Sequence, residues 1–297
     1  MIDHNDAPQD PDVEALRRLV SERMNRINSM PDPAAGGLSP EEVHRLLYTP
    51  WSDPASPLQF NPALTFADLE GSIIFRQTRR FLIALSESAP VKTTKQGALP
   101  RAFVAPLVDV LLDENEARKA KAVNKVFNET DLFPLHIARL LCQQAGVIGK
   151  AKGCLVIRKK YAHLLEEAHA GELFALLVET YFQKFNLEYM TRGPDIPAIQ
   201  ITFPFILYRF HGLVGKSLPI ESVPEHVLLP TALAALQSVA DDNPYLPLPR
   251  LVSNRILYPL NKLGLVMTPE DPQGFIRESG TRVHPTPLLG KAMQFRF

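Results

Sequence analysis

The spacing of apolar residues changes twice between His136 and Leu165. Leu135, Ala138, Leu141 and Ala145 recur at helical spacing, and Gly146 stands where a C-cap glycine belongs. Val147-Ile148 and Leu155-Val156-Ile157 are short β-prone runs, with a small, basic stretch from Gly149 to Gly153 between them. Arg158-Lys159-Lys160 then leads into a second apolar-spaced segment carrying Tyr161, Leu164 and Leu165. Helix, ribbon and helix in that order predict the winged form of helix-turn-helix. In such a unit Gly146 should take positive φ, Leu155 and Ile157 should face the core, and Val156 should lie on the other face.

The rest of the chain reads mainly as helix. Val13, Leu16, Leu19, Val20, Met24 and Ile27 trace one helical face, and Ser29 to Gly37 is a linker by composition. Ser39, Pro40 and Glu42 form a capping box with proline at the first helical position. Helices are expected over 73–85 and 101–112, the latter bent near Pro106, with a short strand over 90–95 between them. A charged helical segment over 113–128 precedes the ribbon unit. Gly171 to Met190 should be one aromatic-faced helix, followed by helices in 199–213 and 222–239. Pro249 to Phe297 repeats the ribbon theme, with Leu263-Gly264-Leu265-Val266 echoing Ala145-Gly146-Val147-Ile148. The fold predicted is therefore mainly α, with winged-helix-like units and short β-ribbons around a helical core. Its expected parts are an N-terminal arm and linker (1–37, the first dozen residues disordered), a winged-helix-like region (38–170), a helical core (171–245) and a C-terminal winged-helix-like unit (246–297).

Several segments resemble an uncharacterised bacterial family found on plasmids and beside SEC-C-type domains. The resemblance rests on LSPEEVHRLLYTPW followed by SPLQFNP, on VKTTKQGALP, and on AGVIGKAKGCLVIRKKYAHLL, and it spans about residues 38 to 230. It implies one integral fold over that span and brings no catalytic residue with it.

Charge sharpens the picture. The chain carries no net formal charge, yet residues 91–160 hold 13 Lys and Arg against 6 Asp and Glu, and residues 251–297 hold 6 against 3. Both basic regions contain a ribbon, which points to polyanion contact. No apolar run approaches the roughly 20 residues that span a bilayer. An acidic N-terminus without an apolar signal region and only two cysteines, Cys142 and Cys154, lead to an expected cytoplasmic location.

Candidate chemistry is sparse. Gly212 to Ser217 ends in Gly-Lys-Ser, but Phe210 stands where a phosphate loop needs glycine and Leu218-Pro219 follows at once. His163, Glu166, Glu167 and His169 crowd together without a recognised metal-ligand spacing and read as a solvated helix face. No nucleophile motif is present, and no enzyme activity, cofactor or metal is expected. The strongest signal is DNA contact. His136, Arg139 and Gln143 fall at i, i+3 and i+7 of the helix before the ribbon, where Arg could pair with guanine and Gln with adenine. Lys150 and Lys152 sit at the wing tip, and Arg158, Lys159 and Lys160 follow it. Two readings stay open: a DNA-associated bacterial factor, regulatory or linked to mobile elements, and a helical adaptor binding another protein. In the C-terminal unit Arg255 and Lys262 occupy the matching helix, but Glu270 and Asp271 on the wing would repel phosphates, so that unit should pack or self-associate.

Overall fold

A computed structural model describes residues 11–88, 90–191, 194–270, 276 and 279–297. The residues before 11, and most of the stretch expected as the C-terminal wing including Asp271, lie outside it. The chain opens with α1 (Pro11–Ser29), α2 (Pro40–Tyr48) and β1 (Leu58–Phe60). It continues through α3 (Ile73–Glu87), β2 (Val91–Lys92), α4 (Arg101–Leu111), α5 (Glu114–Val123), α6 (Phe133–Gln144), β3 (Ile148–Ala151) and β4 (Cys154–Ile157). Next come α7 (Ala170–Glu179), α8 (Leu187–Thr191), α9 (Pro197–His211), β5 (Leu218–Pro219), α10 (Val223–Val227) and α11 (Pro230–Asp242). The last elements are α12 (Leu248–Val252), α13 (Tyr258–Lys262), β6 (Val266–Met267), β7 (Arg282–Pro285), α14 (Pro287–Ala292) and β8 (Met293–Phe295). The fold is mainly α, and its sheets are small and antiparallel.

Local chemistry explains the helix starts. Ser39 accepts from the Glu42 N–H at 3.3 Å while the Glu42 carboxylate accepts from the Ser39 N–H at 2.7 Å, so the capping box closes as the sequence predicts. Asp113 and Glu116 repeat the device at α5, and the Ser72 hydroxyl caps α3 through the Phe75 N–H. The helix expected over 171–190 divides instead. The Phe185 N–H bonds back to the Thr180 carbonyl, closing a π-turn over Thr180–Lys184, and the Asn186 side chain then accepts from the Glu188 and Tyr189 N–H groups to start α8 afresh. The expected strand 90–95 shrinks to Val91–Lys92, because Thr94 and Ala98 close a turn around Gly97. After the first ribbon, 3-10 turns at Lys159–Leu165 and Glu167–His169 replace the start of the expected helix.

The two ribbons are copies of one plan. In the first, β4 lies between β2 and β3, with Leu155 opposite both Val91 and Lys150, and Ile157 opposite Ile148. In the second, β7 lies between β5 and β6, with Val283 opposite Leu218 and Pro285 opposite Val266. Each is entered from a helix through the same Schellman turn. Gly146 and Gly264 both have φ +74°. The Val147 N–H bonds to the Cys142 carbonyl at 2.9 Å and the Leu265 N–H to the Leu260 carbonyl at 2.8 Å. Each ribbon is then closed at its base, by Arg158 N–H to Val147 and by Thr286 N–H to Leu265. Upstream of each ribbon stand, in order, a long helix, a short strand and further helices: α3–β2–α4–α5–α6 and α9–β5–α10–α11–α12–α13.

The core is continuous across these parts. Phe75, Phe81, Phe174, Tyr181, Phe182, Phe203, Phe205 and Phe210 are all buried within it. β1 pairs with β8, Leu58 opposite Phe295, so residues near the start of the fold are tied to the last strand. α1 is the exception. Its main contact is α2, and Val13, Leu16, Leu19, Val20, Met24 and Ile27 stand 45–63% exposed.

Candidate nucleic-acid interface

The hairpin between β3 and β4 turns on two residues, Lys152 at φ +49° and Gly153 at φ +79°. Two successive positive φ values are the mark of a type I′ turn, whose twist suits adjoining strands. β2 holds the tip in place: the Thr93 N–H and hydroxyl both donate to the Gly153 carbonyl at 3.3 Å. Leu155 is fully buried, Ile157 packs half-buried on the core, and Val156 is half-buried on the opposite face, as the alternation requires.

This small sheet gathers cations. Lys150, Lys152, Arg158, Lys159 and Lys160 are exposed, and pairing with β2 adds Lys92, with Lys95 on the turn that follows, neither of which the sequence pattern singles out. Side chains from different segments meet here. The Arg158 guanidinium lies across Gly149, with Nε 2.9 Å from where a Cβ would stand, and Lys150 Nζ lies 3.1 Å from the equivalent point of Gly97. Lys160 sits over the Tyr161 ring at 4.5 Å. No acidic residue occurs from 88 to 108 or from 132 to 165. Among the described residues none of these seven cations is in an ion pair. Like charges gathered without counter-charges repel one another, and a polyanion would relieve that repulsion.

The helix beside them is different. The spacing of α6 predicts that His136, Arg139 and Gln143 stand exposed for base contact, and the structure corrects this. Arg139 is only 7% exposed. Its guanidinium donates to the buried Glu129 carboxylate and, at 2.6 Å, to the Gly97 carbonyl. His136 bridges Glu129, at 3.0 Å from Nδ1, and the Tyr189 hydroxyl, at 2.6 Å from Nε2. Gln143 is half-buried beneath the turn carrying Thr94 to Leu99. The physical reason is Glu129, which is 4% exposed. A carboxylate placed there needs compensation, and it takes Arg139, His136 and the Leu99 N–H to itself. Burial pushes its carboxyl upward, but the bonds from His136 and Leu99 and the Arg139 charge outweigh that and hold it below the ordinary value. The second ribbon's helix is closed in the same manner. Arg255 is 4% exposed and donates to the Leu187 and Pro194 carbonyls at 2.8 and 2.5 Å. Lys262 pairs with Glu270 at 3.0 Å.

Other candidates fall into place. Gly215 turns the chain between α9 and β5 at φ +81°, and the Ser217 hydroxyl accepts from Arg282 Nε at 2.7 Å, so the Gly-Lys-Ser segment is a helix-ending turn. Cys142 is wholly buried, and burial pushes its thiol far above its ordinary range, which removes it as a nucleophile. A cavity of about 550 Å³ lies where α3, α4, α5 and α6 meet α13, with Arg76, Arg80, Asp109, Phe133 and Tyr258 on its walls. No described helix is long and apolar enough to cross a membrane.

Residues 70–170 match the family described as the Y4jL N-terminal domain. That stretch takes in α3 through the basic ribbon and ends at the first residue of α7. No curated protein and no solved structure matches the chain.

Proposed function

We propose that residues 73–157 act as a winged helix that holds duplex DNA by its phosphate backbone. The basic ribbon and the turn beside it are the gripping surface, and α6 is scaffold rather than reader. The order helix, strand, helices, strand, strand, with the first strand lying beside the last, is the order of a winged-helix module. The observation that carries the reading is that Lys92 and Lys150 on the small sheet, Lys152 at its hairpin tip, and Lys95, Arg158, Lys159 and Lys160 on the segments leading out of it are all exposed, and none is in an ion pair among the described residues. Cations placed in this way bind phosphates, position the protein, and carry no sequence information. Arg139 is assigned to the scaffold, since extracting it would leave Glu129 buried without its counter-charge. A regulatory or mobile-element role in a bacterial cytoplasm goes with this reading.

The experiment is fluorescence anisotropy with a mixed-sequence duplex from low to physiological salt. Binding should weaken linearly in log salt, and Lys150→Glu with Lys152→Glu should flatten that slope by roughly 0.9 for each phosphate no longer neutralised. The weakening should be alike on every sequence. Absence of binding even at low salt would sink the proposal.

A second reading, a protein-interaction adaptor, draws on the exposed apolar stripe of α1. Association through that stripe would persist as salt rises, which separates it from the first.

A further inference from the structure

The sequence groups His163 with Glu166, Glu167 and His169, but the fold regroups them. Glu167 turns away, and its carboxylate accepts from the Phe66 N–H at 3.3 Å. Glu172, in the first turn of α7, takes its place. His163 Nε2 and His169 Nδ1 each approach a different oxygen of the Glu172 carboxylate, both at 3.1 Å. The two rings stand edge to face with centroids 4.6 Å apart, and one ligand atom from each of the three residues lies within 4.8 Å of the others.

We infer that His163, His169 and Glu172 form a divalent transition-metal site of the zinc class, with at least one coordination position open to solvent. Zinc binds imidazole nitrogen and carboxylate oxygen at about 2.0–2.2 Å, which sets neighbouring ligand atoms of a tetrahedral shell roughly 3.3–3.5 Å apart. The two 3.1 Å contacts to Glu172 must open slightly, and the separation of the two imidazole nitrogens, within 4.8 Å, must close toward the tetrahedral edge, to seat the ion. Two imidazoles with one carboxylate favour a borderline ion over calcium or magnesium, which prefer all-oxygen shells. The three side chains are partly exposed, 37%, 39% and 50%, so solvent reaches the remaining positions.

The backbone carrying the ligands is fixed independently of any ion. Leu164 and Ala170, next in sequence to His163 and His169, are fully buried. Gly171, next to Glu172, lies so close to the Asn61 and Pro62 carbonyls that a Cβ there would fall 2.5 Å from both oxygens. Anchored flanks spare the ion the cost of ordering its ligands. The ion would join the Lys159–Leu165 turn to α7, immediately behind Arg158, Lys159 and Lys160, and so brace the foot of the basic ribbon.

The test is calorimetric titration of the metal-free full-length chain with zinc chloride, paired with the visible spectrum of the cobalt(II)-loaded protein. One zinc per chain is expected, with the intense absorption of four-coordinate cobalt or the weaker bands of an expanded shell carrying imidazole. His163→Ala, His169→Ala and Glu172→Gln should each weaken zinc at least about 10–100-fold, the range typical of removing even a group that merely orients a ligand. The exposed His44→Ala should change nothing. All four positions are on the surface, so circular dichroism should show an unchanged fold. The inference is overturned by no zinc uptake, by uptake indifferent to the three variants, or by magnesium binding as tightly as zinc.

Discussion

Gly146 and Gly264 offer a matched experiment inside one chain. Both end a helix at φ +74°, and both sit in the same pair of Schellman hydrogen bonds. They differ in what surrounds them. A Cβ on Gly146 would meet only an Arg158 nitrogen at 3.9 Å, a flexible side-chain end. A Cβ on Gly264 would stand 2.9 Å from the carbonyl carbon and oxygen of Gly71 and 3.0 Å from the Ser72 nitrogen, which are backbone atoms at the start of α3. Gly146→Ala should therefore cost only the left-handed conformation, about 1–2 kcal/mol. Gly264→Ala should cost that plus overpacking of about 1–3 kcal/mol, so roughly 2–5 kcal/mol together. For a chain of this size each kcal/mol lowers Tm by about 2–4 °C, and thermal unfolding followed by circular dichroism resolves the difference. Gly153→Ala, at φ +79° with nothing within 4 Å, should behave like Gly146→Ala. Equal destabilisation at 146 and 264 would refute the packing argument and leave only the shared dihedral.

Two further predictions concern the buried carboxylate. Glu129→Ala should destabilise by about 3–5 kcal/mol, because it strands the Arg139 charge in a buried site, and Glu129→Ala with Arg139→Met should recover much of that in a double-mutant cycle. The folded carboxyl lies below its ordinary 4.5, so its stabilisation is complete above about pH 4.5 and is lost as pH falls through the lower folded value. Glu129→Gln should flatten the acid limb of Tm against pH, and an unchanged limb would count against the assignment. Arg139→Ala should lower Tm and leave the salt slope of DNA binding as it was; a selective weakening on one duplex sequence would restore it as a base reader.

The ribbon is legible because its signals are local. Gly146 follows an apolar period of helical length, and small residues between β-prone runs admit few alternatives to a hairpin. The Ser39 capping box and the second Schellman turn at Gly264 are readable for the same reason. The polar face of α6 misleads, because its burial depends on Glu129 and Gly97, 10 and 42 residues away from Arg139. Nothing in the spacing of His136, Arg139 and Gln143 distinguishes a wet face from one roofed by a distant turn. Lys92 and Lys95 escape notice likewise, since only the pairing of Lys92 with Cys154 and the packing of the Gly97 turn against Lys150 bring their segment to the hairpin. The helix break at Phe185 has a visible cue in Asn186, a residue suited to capping, set inside an otherwise persuasive apolar period.

The doubled plan has a consequence for direction. Two subunits related by symmetry present the same face twice and can meet a two-fold operator in either sense. Here one polypeptide holds both halves, and they are not equivalent. The first hairpin is short and cationic, whereas the strands of the second are joined across 14 intervening residues, with Glu270 already neutralising Lys262. On the proposed reading a polyanion would meet one hairpin whose lysines are unpaired among the described residues and one half whose helix lysine is already paired. A complex formed in the way proposed above would have a head and a tail, and whatever the second half touches would lie to a fixed side of the strand held by the first.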